Sequence, residues 1–291
     1  VLYLQETEDD VTTLKLVHAQ YSGGTWSSNI VDSDQAGSGT SLTMDSDDNL
    51  YLFYTAEMAA YEVRFASYDG TNWDRTMFSL NESIQSKVQM LMDSNRNLHV
   101  VYNSMENNAG NLEYLFGLSN YTPSENLTGS GNVESTSWSN TTIGFEMSMV
   151  SSILDEDGHA HLSYYDSLTT NLVYATNKNG SWVNYIVDSE VSGYGLSSSI
   201  AIDSNGTVHI SYIDGNALFY VKIEISGTIS SFGIDFGTAP TMRLPRLQVD
   251  SLNMPHIVYY EMGIGLRYVT RTDFATPWTD VLVHATEVHE L

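Results

Sequence analysis

Five stretches of this chain are copies of one another, and no other feature restricts its fold as much. MDSDDNLYLFY, MDSNRNLHVVY, LDEDGHAHLSY, IDSNGTVHISY and VDSLNMPHIVY align without gaps. Their leading acids are Asp45, Asp93, Asp155, Asp203 and Asp250, at spacings of 48, 62, 48 and 47 residues. Nine residues after each acid stands a tyrosine: Tyr54, Tyr102, Tyr164, Tyr212 and Tyr259. Six residues after it stands His99, His161, His209 or His256, with Tyr51 in the remaining copy. A chain that repeats at this period builds an array of like units, none of which can bury its apolar face alone.

Each copy continues in the same order. A Leu-x-aromatic-small run follows at 112–115, 172–175, 218–221 and 266–269, with variants at 16–19 and 63–66. A Gly-rich or polar turn then leads to Trp26, Trp73, Trp138, Trp182 or Trp278, with Phe232 read as the counterpart in the fifth copy. This pattern predicts four short strands per unit. The first ends at the Asp, the second carries His and Tyr, the third carries the Leu-x-aromatic run and the fourth begins at Trp. The Asp-Ser-Asn-Gly type stretches are hairpin turns, where Asp and Asn bond nearby backbone and Gly accepts positive φ. Four-stranded units of this length with no helical period predict an all-β chain, a β-propeller of four-stranded blades.

The expected domain is a single propeller over 1–291, with about six blades at 1–38, 39–83, 84–142, 143–190, 191–239 and 240–291. The first copy lacks its innermost strand, and the opening residues read as the middle of a repeat. The chain is therefore expected to be a piece of something longer, with seven or eight blades if more repeats belong to it.

Composition narrows the partners. Asp and Glu number 36 against 11 Lys and Arg, for a net charge of −25. Such a surface repels phosphate backbones and anionic membranes, which argues against nucleic acid as a partner. It suits a marine or halophilic protein outside the cytoplasm, secreted or at the cell surface; an acidic cytosolic protein is the alternative. There is no Cys, so disulfides, thiolate metal sites and thiol nucleophiles are excluded. No apolar stretch approaches the ~18 residues needed to span a bilayer, so no membrane insertion by this segment is expected. The high Tyr count, 19, and the low Pro count, 5, suit pleated strands.

The run SSIAIDSNGTVHISYIDGNALFYV, together with SSILDEDGHAHLSYYDSLTTNLVYATNKNGSWVNYIVDSE, resembles a repeat of secreted bacterial and archaeal β-propeller proteins. Successive blades of that family read Asp-x-x-Gly, His-Ile-Ser-Tyr, Leu-x-Tyr-Ala and Gly-Ser-Trp. The likeness covers nearly the whole chain. It is looser to the Asp-box repeats of sialidase-like propellers, whose Ser-x-Asp-x-Gly-x-Thr-Trp order is not kept. The resemblance implies a surface or secreted propeller used for adhesion or binding, and it carries no activity of its own.

Several residues invite chemistry. The repeated histidines could ring a metal, but a residue recurring once per blade has the same packing task in each. An imidazole hydrogen bond to a neighbouring blade's carbonyl or to the turn Asp is expected instead, and no metal site. The repeated Trp could stack on sugars, yet stapling the outer strand to the neighbouring blade is the plainer role. Asp155-Glu156-Asp157-Gly158 and Asp45-Ser46-Asp47-Asp48-Asn49 are too short for calcium loops and predict at most weak Ca2+ binding; no cofactor is expected.

Arginine departs from the repeat: Arg243, Arg246, Arg267 and Arg271 all fall in the sixth copy. Arg246 takes a first-strand position held by Ser41, Gln89, Ser151 and Ser199 elsewhere. Arg243, Arg246 and Arg267 are the candidate ligand-binding residues, suited to a carboxylate or sulfate. The long insertion of the third copy, GLSNYTPSENLTGSGNVESTSW, holds the candidate glycosylation sites Asn120 and Asn126; further sequons stand at Asn81, Asn140, Asn179 and Asn205.

Two functions remain open. One is a non-catalytic surface module that binds glycans or other surface proteins, or packs into a larger extracellular assembly. The other is a polysaccharide-active enzyme, such as a lyase on acidic polysaccharide, in which Arg246 neutralises a uronate and a His or Tyr acts as base. No catalytic residue can be named for it, because no nucleophile elbow, phosphate loop or zinc motif is present.

Overall fold

The computed structural model describes residues 2–6, 14–33, 36–56, 62–78, 83–106, 109–117, 138–145, 147–192, 197–236 and 242–285. Regular structure in these residues is β-strand throughout. The first sheet has three strands, β1 (Leu2–Glu6), β2 (Leu14–Ser22) and β3 (Thr25–Asp32). The second sheet is β4 (Ala36–Met44), β5 (Leu50–Ala56), β6 (Glu62–Tyr68) and β7 (Trp73–Phe78). The third is β8 (Ser83–Met92), β9 (Leu98–Glu106), β10 (Ala109–Gly117) and β11 (Trp138–Phe145). The fourth is β12 (Met147–Leu154), β13 (Ala160–Asp166), β14 (Asn171–Thr176) and β15 (Val183–Asp188). The fifth is β16 (Ser197–Ile202), β17 (Val208–Asp214), β18 (Ala217–Ile223) and β19 (Ile229–Phe236). The sixth is β20 (Met242–Val249), β21 (Pro255–Glu261), β22 (Gly265–Thr270) and β23 (Thr279–His284). Every sheet is an antiparallel meander in chain order. Contacts group the chain into two compact units, Val1–Phe145 with the first three sheets and Glu146–Leu291 with the last three.

The turn between first and second strands explains the repeated Asp. In the fifth sheet Asp203 Oδ1 accepts from the backbone N–H of Asn205 and Thr207, both at 2.9 Å. Asp45, Asp93, Asp155 and Asp250 each accept from the residues two and four places on in the same way. The fourth turn residue lies in the left-handed region in every copy: Asp48, Arg96, Gly158, Gly206 and Asn253, with φ between 64° and 83°. Gly, Asn and Asp tolerate that region best. Arg96 is the exception, and its guanidinium ion-pairs with Asp45 of the preceding sheet and with Asp47 at 3.0 Å.

Within each unit neighbouring sheets pack face to face. Between the fourth and fifth, Leu172, Tyr174, Ile200, Ile210 and Tyr212 form one core; between the fifth and sixth, Leu218, Tyr220, Leu247, Ile257 and Tyr259 form another. The repeated second-strand tyrosines are at most 1% exposed, and each such burial stabilises by roughly 1.5–3 kcal/mol. Tyr54 donates its hydroxyl to Asp32 at the end of the preceding sheet (2.7 Å), and Tyr212 does the same to Asp188 (2.5 Å). First strands are joined by serine: Ser41, Ser151 and Ser199 Oγ accept from the backbone of Met90, Ile200 and Leu247 on the next sheet.

Strand register fixes which residues are equivalent. Arg246 pairs with Val258, as Ser199 pairs with Ser211 and Ser41 with Phe53, so its alignment with those serines holds. Phe232 does not take the tryptophan position. Trp73 pairs with Tyr68 at the end of its third strand, and the matching pair in the fifth sheet is Ile223 with Ile229; Phe232 pairs with Tyr220 further along. The fifth copy therefore has no Trp, and Ile229 stands in its place.

Candidate functional site

The repeated histidines are hydrogen-bonded within their own sheets. In the fifth sheet His209 Nε2 lies 3.2 Å from Asp203 Oδ2 and its Nδ1 lies 2.6 Å from the Tyr220 hydroxyl. His161 joins Asp155 (3.3 Å) to Tyr174 (2.6 Å) and His256 joins Asp250 (3.2 Å) to Tyr268 (2.5 Å); His99 bonds Tyr114 (2.6 Å) in the same way, while its Nε2 stays 3.5 Å from Asp93, too far for a hydrogen bond. A carboxylate can only accept, so the single N–H of the neutral ring sits on Nε2 and the phenol donates to Nδ1. Burial lowers the pKa of His99, His161 and His209 despite the nearby carboxylates, which keeps the rings neutral. Burial also raises Tyr174 to about 12. The turn Asp is thus the partner, as one of the two expectations had it, but the bond lies inside a sheet and not between sheets. In the second sheet Tyr51 reaches Asp45 directly at 3.0 Å, and the third-strand position holds Phe65, which needs no hydroxyl.

Tryptophan closes the gap between neighbouring sheets. Trp73 packs edge-on against His18 of the first sheet, centroids 5.5 Å apart, and Trp278 packs edge-on against Tyr220 of the fifth at 5.1 Å. His18 and Tyr220 hold the same third-strand position, since His18 pairs with Asn29 as Tyr220 pairs with Phe232. Trp26 of the first sheet is different, being 63% exposed and tilted against Tyr21 at 5.3 Å.

Where Ile229 replaces Trp, a cleft of about 250 Å³ opens between the fourth and fifth sheets. Its floor is the His161–Tyr174 pair. The fourth sheet supplies Tyr185 and the turn residues Lys178 and Asn179; the fifth supplies Ile229, Ile225 and Glu224. Tyr185 stacks on Tyr174 with centroids 5.8 Å apart and planes at 22°, and stays 42% exposed. The short turn 224–228 closes tightly through Glu224 N–H to Thr228 O (2.9 Å) and Gly227 N–H to Glu224 O (2.7 Å). Gly206 underlies Ile225, which a Cβ there would meet at 3.6 Å. At the rim, Lys178 Nζ lies 3.8 Å from Asp155, and Glu224 is held at 3.0 Å by Lys222, which itself lies outside the cleft lining. An apolar wall, one exposed aromatic face and a ring of cationic, anionic and amide groups can hold a small, rigid ligand that is apolar on one face and hydroxylated on its edges.

The sequence-selected residues lie elsewhere. Arg246 is exposed, and its guanidinium bonds the Pro245 carbonyl at 3.2 Å. Arg267 on β22 is paired with Asp280, and with Glu261 at 3.6 Å, which raises its pKa. Arg243 is on β20, and its side chain lies outside the described residues. Asn120 and Asn126 also lie outside them; Asn140, Asn179 and Asn205 are exposed. Asp155, Asp157 and His159 place three potential metal ligands within 4.8 Å of one another. The Asp155 carboxylate is already taken by turn amides, His159 and His161, which leaves too few oxygens for calcium. No described helix is long and apolar enough to cross a membrane.

No protein-family model and no curated protein matches this chain. Solved structures do. The SapL1 lectin, in complex with alpha methyl fucoside, is 14% identical at a TM-score of 0.53, covering 98% of this chain and 95% of that one. The Aleuria aurantia lectin in complex with a fucosylated GlcNAc is 11% identical at 0.54, covering 96% and 89%. A PL25 ulvan lyase is 12% identical at 0.56, covering 85% and 72%. These are β-propellers, and at such identities the likeness concerns fold alone. The fold is a β-propeller. The six sheets are its blades, about six as the repeat predicts, and the cleft lies between the fourth and fifth. The repeat scheme alone did not point to Tyr185, Lys178 or Glu224. The signal in the sequence is the missing Trp at 229, which the aromatic Phe232 three residues on obscures.

Proposed function

We propose that this propeller is a non-catalytic, extracellular or cell-surface module that binds glycans through the cleft between its fourth and fifth blades. The observation that carries this reading is the cleft itself, with an exposed Tyr185 ring beside Ile229 and with Lys178, Asn179 and Glu224 at the rim. A pyranoside lays its C–H face on an aromatic ring and directs its hydroxyls to such groups. Lectins among the fold neighbours add support, since their ligands are sugars. The relays beneath the cleft are poor catalysts, because Tyr174 stays protonated and His161 has both nitrogens engaged. A glycan array read at marine salt, with soluble products analysed spot by spot, tests the proposal. Retention without new products, lost in Tyr185→Ala, is expected.

A lyase acting on acidic polysaccharide is the second reading, favoured by the exposed guanidinium of Arg246 at a position that other blades give to Ser or Gln. Unsaturated oligosaccharides released by the wild type and not by Arg246→Ala would establish it in place of the first.

A further inference from the structure

We infer that the gap between the fifth and sixth blades is a second cleft of the same class, filled by the protein's own turn 271–278. The inference rests on the sugar-binding reading of the open cleft and goes beyond it, because it fixes how many sites the chain offers and what closes the other.

The repeat places equivalent residues around both gaps. Tyr174, Thr176 and Tyr185 on the fourth blade correspond by register to Tyr220, Lys222 and Phe232 on the fifth. The His–Tyr floor is the same, with His209 bonded to Tyr220 as His161 is to Tyr174. The facing walls differ. In the open gap the fifth blade presents Ile229 and the short turn 224–228. In the closed gap the sixth blade presents Trp278 and the longer turn 271–278.

That turn occupies the space where a ligand would lie. Trp278 meets Tyr220, and the Phe274 ring sits 4.6 Å from Lys222 Nζ. The Arg271 guanidinium, on a residue only 6% exposed, lies 5.6 Å from the Phe232 ring centre, 5.0 Å from that of Phe274 and 5.1 Å from that of Trp278. The turn fixes it there through bonds from Nε to Asp273 O (2.8 Å) and from its Nη2 to Thr276 O (2.9 Å). Phe232, the counterpart of the stacking Tyr185, is thus covered by a cation from the same chain. Removing the occupant exposes an aromatic platform, Phe232, beside an ammonium, Lys222, which is the chemistry of a pyranoside site carrying polar or anionic substituents.

The test is stoichiometry by titration calorimetry with the methyl glycosides of fucose, rhamnose and glucuronic acid as separate probes. Wild type is compared with Phe274→Gly/Trp278→Ile, which removes the two rings packed against Arg271 and puts the fifth blade's isoleucine at the tryptophan position, and circular dichroism checks the fold. The milder Phe274→Ser takes its place if the double variant does not fold. One mole of glycoside per mole of wild type and two per mole of variant is expected, and Tyr185→Ala in the opened variant returns the count to one. One mole for both proteins overturns the inference and leaves the first cleft standing. Two moles for the wild type also overturns it. Binding by the variant alone upholds the inference and removes the proposed role of the open cleft, and binding by neither removes both.

Discussion

The gap between the fourth and fifth blades and the gap between the fifth and sixth are built from the same repeat, yet one is open and the other is filled. The difference comes from a few residues. Trp278 and the turn behind it place an indole, a phenyl ring and a guanidinium against the fifth blade, whereas Ile229 and a shorter turn leave Tyr174 and Tyr185 facing a cleft. In a propeller whose blades share one framework of Asp, His, Tyr and Trp, the cleft proposed as the binding site lies where the framework lapses. In the blades that keep it, Asp and His brace their own sheet, and the second-strand Tyr and the Trp reach the neighbouring one.

The largest effect should come from breaking the filled gap. Trp278→Ala removes the contact with Tyr220 and the cage around Arg271, and is expected to cost roughly 3 kcal/mol in urea unfolding. Ile229→Ala, at 37% exposure, should cost far less; equal costs would contradict the comparison.

Acid should weaken the framework common to both gaps. The folded protein holds His99, His161 and His209 neutral by burial, so their pKa values lie below the ordinary 6.5. As the pH falls through 6.5, the unfolded chain gains protons that the folded one refuses, and the stability present above that value declines. A second decline belongs below the ordinary carboxylate value of 3.8. Burial opposes ionisation of Asp93, Asp155 and Asp203, but turn amides and the histidines outweigh it and lower their pKa values. Chemical unfolding across this range should show both declines; a flat profile between about pH 7 and pH 5 would contradict neutral, buried relays.

Tyr185→Ala sharpens the comparison from the open side. It should weaken sugar binding at the cleft about a hundredfold, ~2.8 kcal/mol, so that retention and the titrated site are lost, while leaving the unfolding midpoint unchanged, because the ring is held on one face only. The smallest effect is expected at Trp26, whose indole is 63% exposed. Trp26→Ala should alter stability by no more than about 0.5 kcal/mol, which unfolding curves would show against the Trp278 variant.

Much of this was legible in the repeat because periodic residues report on periodic structure. Asp203 and its counterparts bind the amides of their own turns, so spacing alone located the first hairpins. His209 and Tyr220 touch across adjacent strands, which made their shared recurrence meaningful, although sequence did not reveal that the bond stays within a blade. The cleft was harder to read. Lys178, Tyr185 and Glu224 come from different blades and meet only through the packing of two sheets. The substitution that opens the cleft was masked by a neighbouring aromatic, since Phe232 stands three residues beyond Ile229 and pairs with Tyr220, while Ile229 pairs with Ile223 at the tryptophan position. The arginines of the sixth copy stood out by composition, but composition says nothing of pairing, and Arg267 is held by Asp280 and Glu261.

The most direct test of the central claim is titration of Ile229→Trp with the sugar retained by the wild type. Restoring the indole should close the gap between the fourth and fifth blades, keep the circular dichroism spectrum and abolish binding. Binding of unchanged affinity in a folded Ile229→Trp protein would show that the cleft is not the site.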